Sequence, residues 1–151
     1  MAILTGVFTT AGRAALGKSF GNLAGLSGSY PICRASYFRI GMGGYTIVGA
    51  SKFPKDPDPS LTALEATGAP GDFYFQKSLA NQDISWIAPS TLVIRCRLDP
   101  IESNDDGTGN APRFFEIGVF DEHDVMIIYS TFAEQTKSSN KILTNNIQAY
   151  F

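Results

Sequence analysis

The single histidine of the chain, His123, is the first candidate for metal or acid–base chemistry. Asp121, Glu122 and Asp124 flank it, and oxygen and nitrogen donors of these kinds can bind a metal ion. However, these four residues separate two apolar runs, which is a pattern typical of a β-hairpin. Neighbouring side chains in a tight turn point in divergent directions, so they do not close a ligand shell. We therefore predict a solvent-facing turn without a metal.

A second acidic run, residues 102–110 (ESNDDGTGN), has some of the spacing of a calcium-binding loop. Glu102, Asn104 and Asp106 match the first three ligand positions of an EF-hand. The twelfth position, which needs a bidentate glutamate, is Arg113, and the flanking segments have strand patterns instead of helix patterns. We predict a loop between two strands.

Two segments rich in glycine and serine do not match the motifs of known reactive loops. Residues 41–44 (GMGG) follow a strand pattern, but position 46 is Thr46 where a dinucleotide-binding loop needs glycine. Close backbone packing at a strand end explains these glycines better. Residues 25–29 (GLSGS) lack the last glycine of a nucleophile elbow, and His123 is the only available histidine base. We predict that the protein is not an enzyme and uses no cofactor.

One helix is predicted near the N-terminus, at residues 9–21 (TTAGRAALGKSFG). Thr9 or Thr10 can cap its first free N–H groups, and Leu16 and Phe20 share one face. The glycines weaken an isolated helix, so we expect it to be held by packing on a sheet.

Three segments have strand patterns: residues 35–40, 91–99 and 141–151. In the second, the apolar residues from Leu92 to Leu98 alternate with arginines, which predicts a half-buried antiparallel strand. In the third, Ile147, Ala149 and Phe151 share one face. We expect this last segment to be an edge strand that can pair with another subunit.

The composition of two further segments predicts loops. Residues 22–32 are rich in Gly and Ser, and residues 51–71 (SKFPKDPDPSLTALEATGAPG) are rich in Pro, Asp and Gly. We expect the second to be a long excursion, with one helical turn from Ser60, that reaches neighbouring subunits. The whole pattern predicts a single domain over residues 1–151. Its class is α+β, mainly antiparallel β and sandwich-like, with one N-terminal helix packed on the sheet.

Composition indicates a surface that other proteins cover. Only 17% of residues are charged, against about 25% in average soluble proteins, while 44% are hydrophobic and 12% aromatic. A net charge of −2 gives no reason to expect nucleic acid as a partner. We expect a homo-oligomer that also contacts other proteins.

The sequence contains no apolar run long enough for a membrane helix and no pattern of a secretory signal, so we expect synthesis in the cytoplasm and no membrane contact. Cys96 has the position of a buried thiol in a strand. A bridge between Cys33 and Cys96 stays open as an alternative.

Seven mainly aromatic side chains are candidates for the interface, because they exceed what one inner face requires. They are Tyr45, Phe53, Trp86, Phe132, Ile147, Tyr150 and Phe151.

Several short motifs together resemble a known family. They are residues 4–16 (LTGVFTTAGRAAL), 37–44 (YFRIGMGG), 115–121 (FEIGVFD) and 126–137 (MIIYSTFAEQTK). This set resembles the N-terminal, virion-attaching domain of tailed-bacteriophage tail-fibre and tail-collar proteins. In that family T-x-x-G opens a helix, IGxG ends a strand and EIGLYD begins a hairpin. The similarity does not cover residues 46–110.

The resemblance implies a non-enzymatic virion component that docks on a tail, baseplate or neck and assembles as an oligomer. Fibres continue into a shaft and a receptor-binding tip, so we expect a small adaptor, baseplate or collar subunit here. Two alternatives remain open: a β-sandwich that binds a host glycan or receptor through Tyr45 or Trp86, and a capsid decoration protein.

Overall fold

The computed structural model of the protein describes residues 2–21 and 33–151. These residues form one α-helix, α1 (Thr10–Gly21), one short 3₁₀-helix (Asn81–Asp83) and eleven strands. The strands are β1 (Ala2–Thr5), β2 (Val7–Phe8), β3 (Ala35–Gly41), β4 (Tyr45–Val48), β5 (Ser51–Pro54), β6 (Tyr74–Ser78), β7 (Ile84–Ala88), β8 (Thr91–Leu98), β9 (Arg113–Asp121), β10 (Met126–Thr136) and β11 (Leu143–Tyr150). The predicted α+β, mainly antiparallel class is confirmed. The predicted loop at 22–32, which contains the GLSGS segment, lies outside the described residues.

Two sheets face each other across a common apolar core. The four-stranded sheet has the order β1-β11-β8-β7, and the five-stranded sheet has the order β2-β10-β9-β3-β6. Ile94 and Ile147 enter the core from the first sheet, and Ile117 and Val119 enter it from the second. All four side chains are fully buried. The two apolar inner faces thus give the sandwich that the alternating patterns predict.

The segment 141–151 lies inside the four-stranded sheet, so the prediction that it is a free edge is wrong. Strand β11 pairs antiparallel with β8, from Leu143 opposite Leu98 to Tyr150 opposite Thr91. On its other side β11 pairs parallel with β1. The alternation identifies β11 as a strand but cannot show this second neighbour, because β1 has only four residues and is distant in sequence.

Gly6 marks the point where the chain passes from one sheet to the other. Strand β1 belongs to the four-stranded sheet, and β2 belongs to the five-stranded sheet. A Cβ atom at Gly6 would lie 2.4 Å from Cγ2 of Ile128 and 2.7 Å from Cγ2 of Ile147. These isoleucines come from different sheets, so the absence of a side chain at Gly6 lets the sheets close together along this side.

Helix α1 begins at Thr10, one residue after the start of the predicted range, and Thr9 is the one of the two candidate threonines that caps it. The Thr9 hydroxyl accepts a 2.8 Å hydrogen bond from the Gly12 amide and donates one to a carbonyl of β10, so it caps the helix and fixes it to the sheet. Gly12 lies against Ile127, where an added Cβ would come within 2.6 Å of the backbone. Leu16 packs against the core, but Phe20 is exposed. The predicted apolar face therefore ends before the last helical turn, since the close contact with β10 lies near the helix start.

The predicted excursion at 51–71 is partly a strand. Its first residues are β5, which pairs with β4 through a two-residue turn with Gly49 at φ 64°. Ser60 lies in a local turn instead of the predicted helical one. The Asp58 carboxylate accepts hydrogen bonds from the Ser60 amide at 2.8 Å and hydroxyl at 2.7 Å, and such local bonds compete with a helix.

The remaining loop, residues 55–73, folds back over the outer face of the five-stranded sheet. Leu64 is buried there and packs with Phe120, Met126 and Tyr129. Leu64 and these residues form a second apolar cluster outside the core between the sheets. Alternation along β9 explains it, because Phe120 points to the outer face while Val119, the preceding residue, points into the core. The apolar side of this loop is thus used within the molecule, and contact of its exposed residues with neighbouring subunits stays a prediction.

Candidate interaction surface

His123 lies in the turn between β9 and β10. The Asp121 carboxylate accepts hydrogen bonds from the amides of His123 and Val125, both 2.9 Å long, and Asp124 adopts a φ of 64°. His123 itself is exposed, with its Nδ1 4.0 Å from the Asp121 carboxylate. The buried carboxylate thus shapes the backbone of the turn, and the predicted solvent-facing hairpin is confirmed.

The acidic run 102–110 is a loop between β8 and β9, as predicted. The Asp106 carboxylate accepts a 2.8 Å hydrogen bond from the Thr108 amide and another from its hydroxyl. These bonds to Thr108 lower the pKa of Asp106 below its ordinary value. Within residues 2–21 and 33–151, no cluster of three or more His, Cys, Asp or Glu side chains has the arrangement of a metal site.

The glycines at 41–44 accommodate a buried carboxylate. A Cβ at Gly43 would lie 2.5 Å from Oε1 of Glu116, and a Cβ at Gly41 would lie 2.9 Å from the same atom. Gly44 adopts a φ of 79°, a conformation that favours glycine. The predicted close packing at this strand end is confirmed, and its cause is Glu116.

Glu116 is a fully buried acid that fastens the loop 55–73 to the sheet. Its carboxylate accepts hydrogen bonds from the amides of Glu65 (2.9 Å) and Ala66 (2.7 Å) and from the Tyr129 hydroxyl (2.8 Å). Burial is the largest influence on this group and raises the pKa of Glu116, although the three donors act in the opposite direction. The carboxylate therefore holds the loop in place.

An ion pair connects this cluster to the hairpin of β4 and β5. The Glu65 carboxylate accepts a 3.0 Å hydrogen bond from the Gly44 amide and binds the Lys55 ammonium at 2.8 Å. The sequence patterns did not predict this arrangement. Its one visible signal is a lone glutamate, Glu116, inside the apolar run FFEIGVF, because a charge in a buried strand requires partners.

The seven predicted interface residues divide into three groups. Phe132 and Ile147 are buried core residues, so they are not available to a partner, which corrects the prediction for both. Alternation alone cannot separate such core residues from surface ones. Tyr45 and Phe53 lie on the hairpin of β4 and β5. The remaining three lie at one end of the sandwich, where the ring of Trp86 contacts that of Phe151 and Tyr150 lines a surface depression together with Phe151.

These three residues and Phe8 form a continuous surface, which we name the aromatic patch. The Phe151 ring lies 4.8 Å from the Phe8 ring and 5.5 Å from the Trp86 ring, measured between centroids. Trp86 is 60% exposed and Phe151 is 62% exposed, so the rings pack on one another while much of their area faces solvent. Such contiguous apolar surface is typical of an interaction site.

An apolar cavity of about 360 Å³ opens beside the aromatic patch. Its lining includes Leu92 and Ile94 from the four-stranded sheet and Val119 and Ile128 from the five-stranded sheet. The cavity therefore reaches between the two sheets, and it offers space for an apolar group inserted next to Phe151.

The hairpin of β4 and β5 is a second exposed surface. Tyr45 packs against Phe115 at 5.0 Å between ring centroids, and the Lys52 ammonium lies 4.2 Å from the Tyr45 ring centre. Val48 and Phe53 are exposed and share the face opposite to Tyr45, as the strand register requires. The hairpin is thus anchored to the molecule at Tyr45, while Val48 and Phe53 on the opposite face are open to solvent.

Three exposed apolar residues of these surfaces were not predicted from the sequence, Ile47, Val48 and Ile87. Ile87 belongs to β7, whose sequence ISWIA has no charged residue and a single polar one, Ser85. This run could have predicted both the strand and the exposed apolar side chains of β7.

Comparison with protein-family models, curated proteins and solved structures finds no match to this chain. In the part of the chain that the structure describes, no helix is long and apolar enough to cross a membrane.

Proposed function

We propose that the protein is a non-enzymatic structural subunit of a tailed-phage virion, acting in the tail, baseplate or collar. Its role is to join neighbouring protein subunits through the aromatic patch. The observation that carries this proposal is the patch itself, where Trp86 and Phe151 are more than half exposed although their rings are in contact. Large aromatic side chains are the residues that most often anchor protein–protein interfaces.

The composition supports an assembly role. Only 17% of residues are charged, and the patch and the open face of the hairpin carry exposed apolar side chains at separate places on the molecule. Two separated surfaces suit a subunit that contacts more than one neighbour.

The viral part of the proposal rests on the resemblance to tail-fibre and tail-collar attachment domains. The structure supports the resemblance because residues of the similar motifs cap a helix and pack closely against other strands. In T-x-x-G, Thr9 caps helix α1 and Gly12 lies against β10. The glutamate of the EIG motif, Glu116, packs against the glycines at 41–44 that end β3. The similar segments thus form one connected part of the fold.

Particle incorporation tests the proposal. Phage particles that encode this chain are purified with the wild-type sequence, with Trp86→Ser combined with Phe151→Ser, and with Ile101→Ser as control. Ile101 is 90% exposed and follows the far end of β8, so its replacement removes exposed apolar area away from the patch. We expect the chain in purified particles for wild type and control, and its loss for the double variant.

Quantitative mass spectrometry of the particles gives the readout, and circular dichroism of the purified variants establishes that they fold. Folded double variant at wild-type copy number in particles, or absence of the wild-type chain from them, contradicts the proposal.

A further inference from the structure

We infer that β7 is a dimerisation edge, at which a second copy of this chain adds its own β7 and joins two four-stranded sheets into one. This inference deepens the proposed function, on which it rests, by naming the partner and the geometry of one contact.

Among the residues that the structure describes, no strand pairs with the outer side of β7, and β7 carries no charged residue. It pairs with β8 on one side and ends the four-stranded sheet on the other. Every residue from Ser85 to Ser90 is exposed, and Trp86 and Ile87 expose 60% and 61% of their surface. A free sheet edge presents unpaired N–H and C=O groups, which are a template for another strand.

The other edges of the sandwich are shorter than β7 or carry a lysine, whereas the one protecting feature of β7 is a bulge between Trp86 and Ala88. Strands β1 and β2 have only four and two residues and are joined at Gly6, where the sheets close. Strand β6 carries Lys77, whose ammonium binds Asp99 at 3.2 Å and Glu102 at 2.8 Å. Short edges and edge lysines are the usual means of preventing strand addition. The edge of β7 is thus the one best suited to pairing.

The absence of charge on β7 favours a second copy as the occupant. In a two-fold antiparallel pair each residue meets its own copy or a near neighbour, so a charged edge would repel itself. The sequence ISWIA meets no such repulsion. A pair centred on Trp86 places the two Trp86 side chains opposite each other, and it brings Ile87, the residue at the bulge of β7, next to Ser85 of the partner subunit. Aromatic cross-strand pairs of this kind stabilise a sheet.

The available area suits a reversible dimer. At roughly 150–250 Å² for a whole aromatic side chain, the exposed parts of Trp86, Ile87 and Phe151 amount to roughly 350 Å² of apolar surface. Two such surfaces supply roughly 700 Å² of apolar contact, which is below the roughly 1,200 Å² of stable interfaces and in the range of weak, reversible contacts. We therefore expect dissociation at micromolar concentration.

Trp86 makes the association directly measurable, because it is the single tryptophan of the chain and lies in β7. Sedimentation equilibrium between about 0.5 and 200 μM, a range chosen around the expected affinity, should show a monomer–dimer equilibrium. Tryptophan emission should shift to shorter wavelength along the same concentration curve, since pairing removes the ring from water.

Ile87→Lys should weaken dimerisation at least tenfold, because two ammonium groups then lie diagonally across the paired strands. The matched control is Ile101→Lys, which adds the same charge at the opposite end of β8 and should leave the equilibrium unchanged. Ile87→Glu should weaken self-association similarly. An equimolar mixture of Ile87→Lys and Ile87→Glu should form a heterodimer, because opposite charges then face each other.

A monomeric wild type at 200 μM overturns the inference, as does a dimer that Ile87→Lys leaves intact. Recovery of the dimer in the charge-swap mixture supports it, and failure of the mixture to associate counts against strand pairing. These results are separable from the proposed function. Particle incorporation is measured independently, so the chain can enter particles through the aromatic patch even when the β7 dimer is shown not to form.

Discussion

The hydroxyl of Tyr129 donates a 2.8 Å hydrogen bond to the carboxylate of Glu116, across the pair of strands β9 and β10. The same carboxylate binds two amides of the loop 55–73, so one buried acid connects two strands to the loop that covers them. The pKa of Tyr129 is raised by burial and by the negative charge of Glu116. The protonation of each of these two groups therefore depends on the charge of the other.

This arrangement predicts that stability depends on pH through Glu116. Burial raises its pKa above the ordinary value of 4.5, so the folded state holds this proton more tightly than the unfolded state. The contribution of Glu116 to stability is then complete below pH 4.5, and it is lost as pH rises through the folded pKa. Asp99 and Asp106 have pKa values below 3.8, so they titrate at lower pH.

The variant Glu116→Gln isolates this effect. The amide keeps one acceptor oxygen but leaves a donor of the loop unpaired, so we expect a loss of about 1–3 kcal/mol in unfolding free energy. The difference in unfolding free energy between wild type and Glu116→Gln should become smaller as pH rises above 4.5, because only wild type carries the buried ionisable group. Urea unfolding at several pH values measures the difference. A gap that widens with pH contradicts the assigned direction.

Two glycines of helix α1 should respond in opposite ways to alanine. A Cβ at Gly12 meets the backbone of Ile127 at 2.6 Å, whereas a Cβ at Gly17 meets nothing within 4 Å. We expect Gly12→Ala to destabilise the protein by about 1–3 kcal/mol through overpacking. Gly17→Ala should stabilise it by about 0.5–1 kcal/mol through helix propensity. Thermal unfolding of the two variants provides the test, and equal effects would show that α1 does not pack on β10 as described.

Two phenylalanines predicted for the same interface should also behave differently. Phe132 is buried in the core, and Phe53 is half exposed on the hairpin. We expect Phe132→Ala to lower the unfolding free energy by about 3–5 kcal/mol and Phe53→Ala to change it by about 0.5 kcal/mol or less. Denaturant titration of each variant is sufficient, and a small effect at Phe132 would contradict its core position.

Both cysteines are free thiols, Cys33 partly buried and Cys96 buried. Burial raises the pKa of Cys33 to about 11, and it raises that of Cys96 further. Since the thiolate is the reactive form, we expect slow reaction of Cys33 and none of Cys96 with a disulfide reagent at pH 8. Two thiols per chain should react after denaturation without reductant. Zero reactive thiols in the denatured protein would indicate the bridge that the sequence left open.

The parts of the fold that the sequence predicted well are those with strong local patterns. The alternation from Leu92 to Leu98 and the polar turn at His123 depend on neighbouring residues, and the structure confirms both. The threonine cap of α1 is local as well.

The parts that sequence reasoning missed depend on distant contacts. Burial of Ile147 follows from the packing of the four-stranded sheet on the five-stranded sheet, and burial of Leu64 follows from the attachment of its loop to Glu116. Periodicity shows which side chains share a face, but it does not show what covers that face. The predicted interface therefore combined core and surface residues.

The pairing of Leu4 with Ile147 also affects how the chain is made. During synthesis β1 leaves the ribosome early and has no strand to pair with until residues 145–148 follow it. The four-stranded sheet, whose second strand is β11, can form only at that late stage. Such distant pairing slows folding and leaves apolar strands exposed to aggregation in the meantime. Nascent chains that stop before β11 should therefore be substrates for chaperones and proteases.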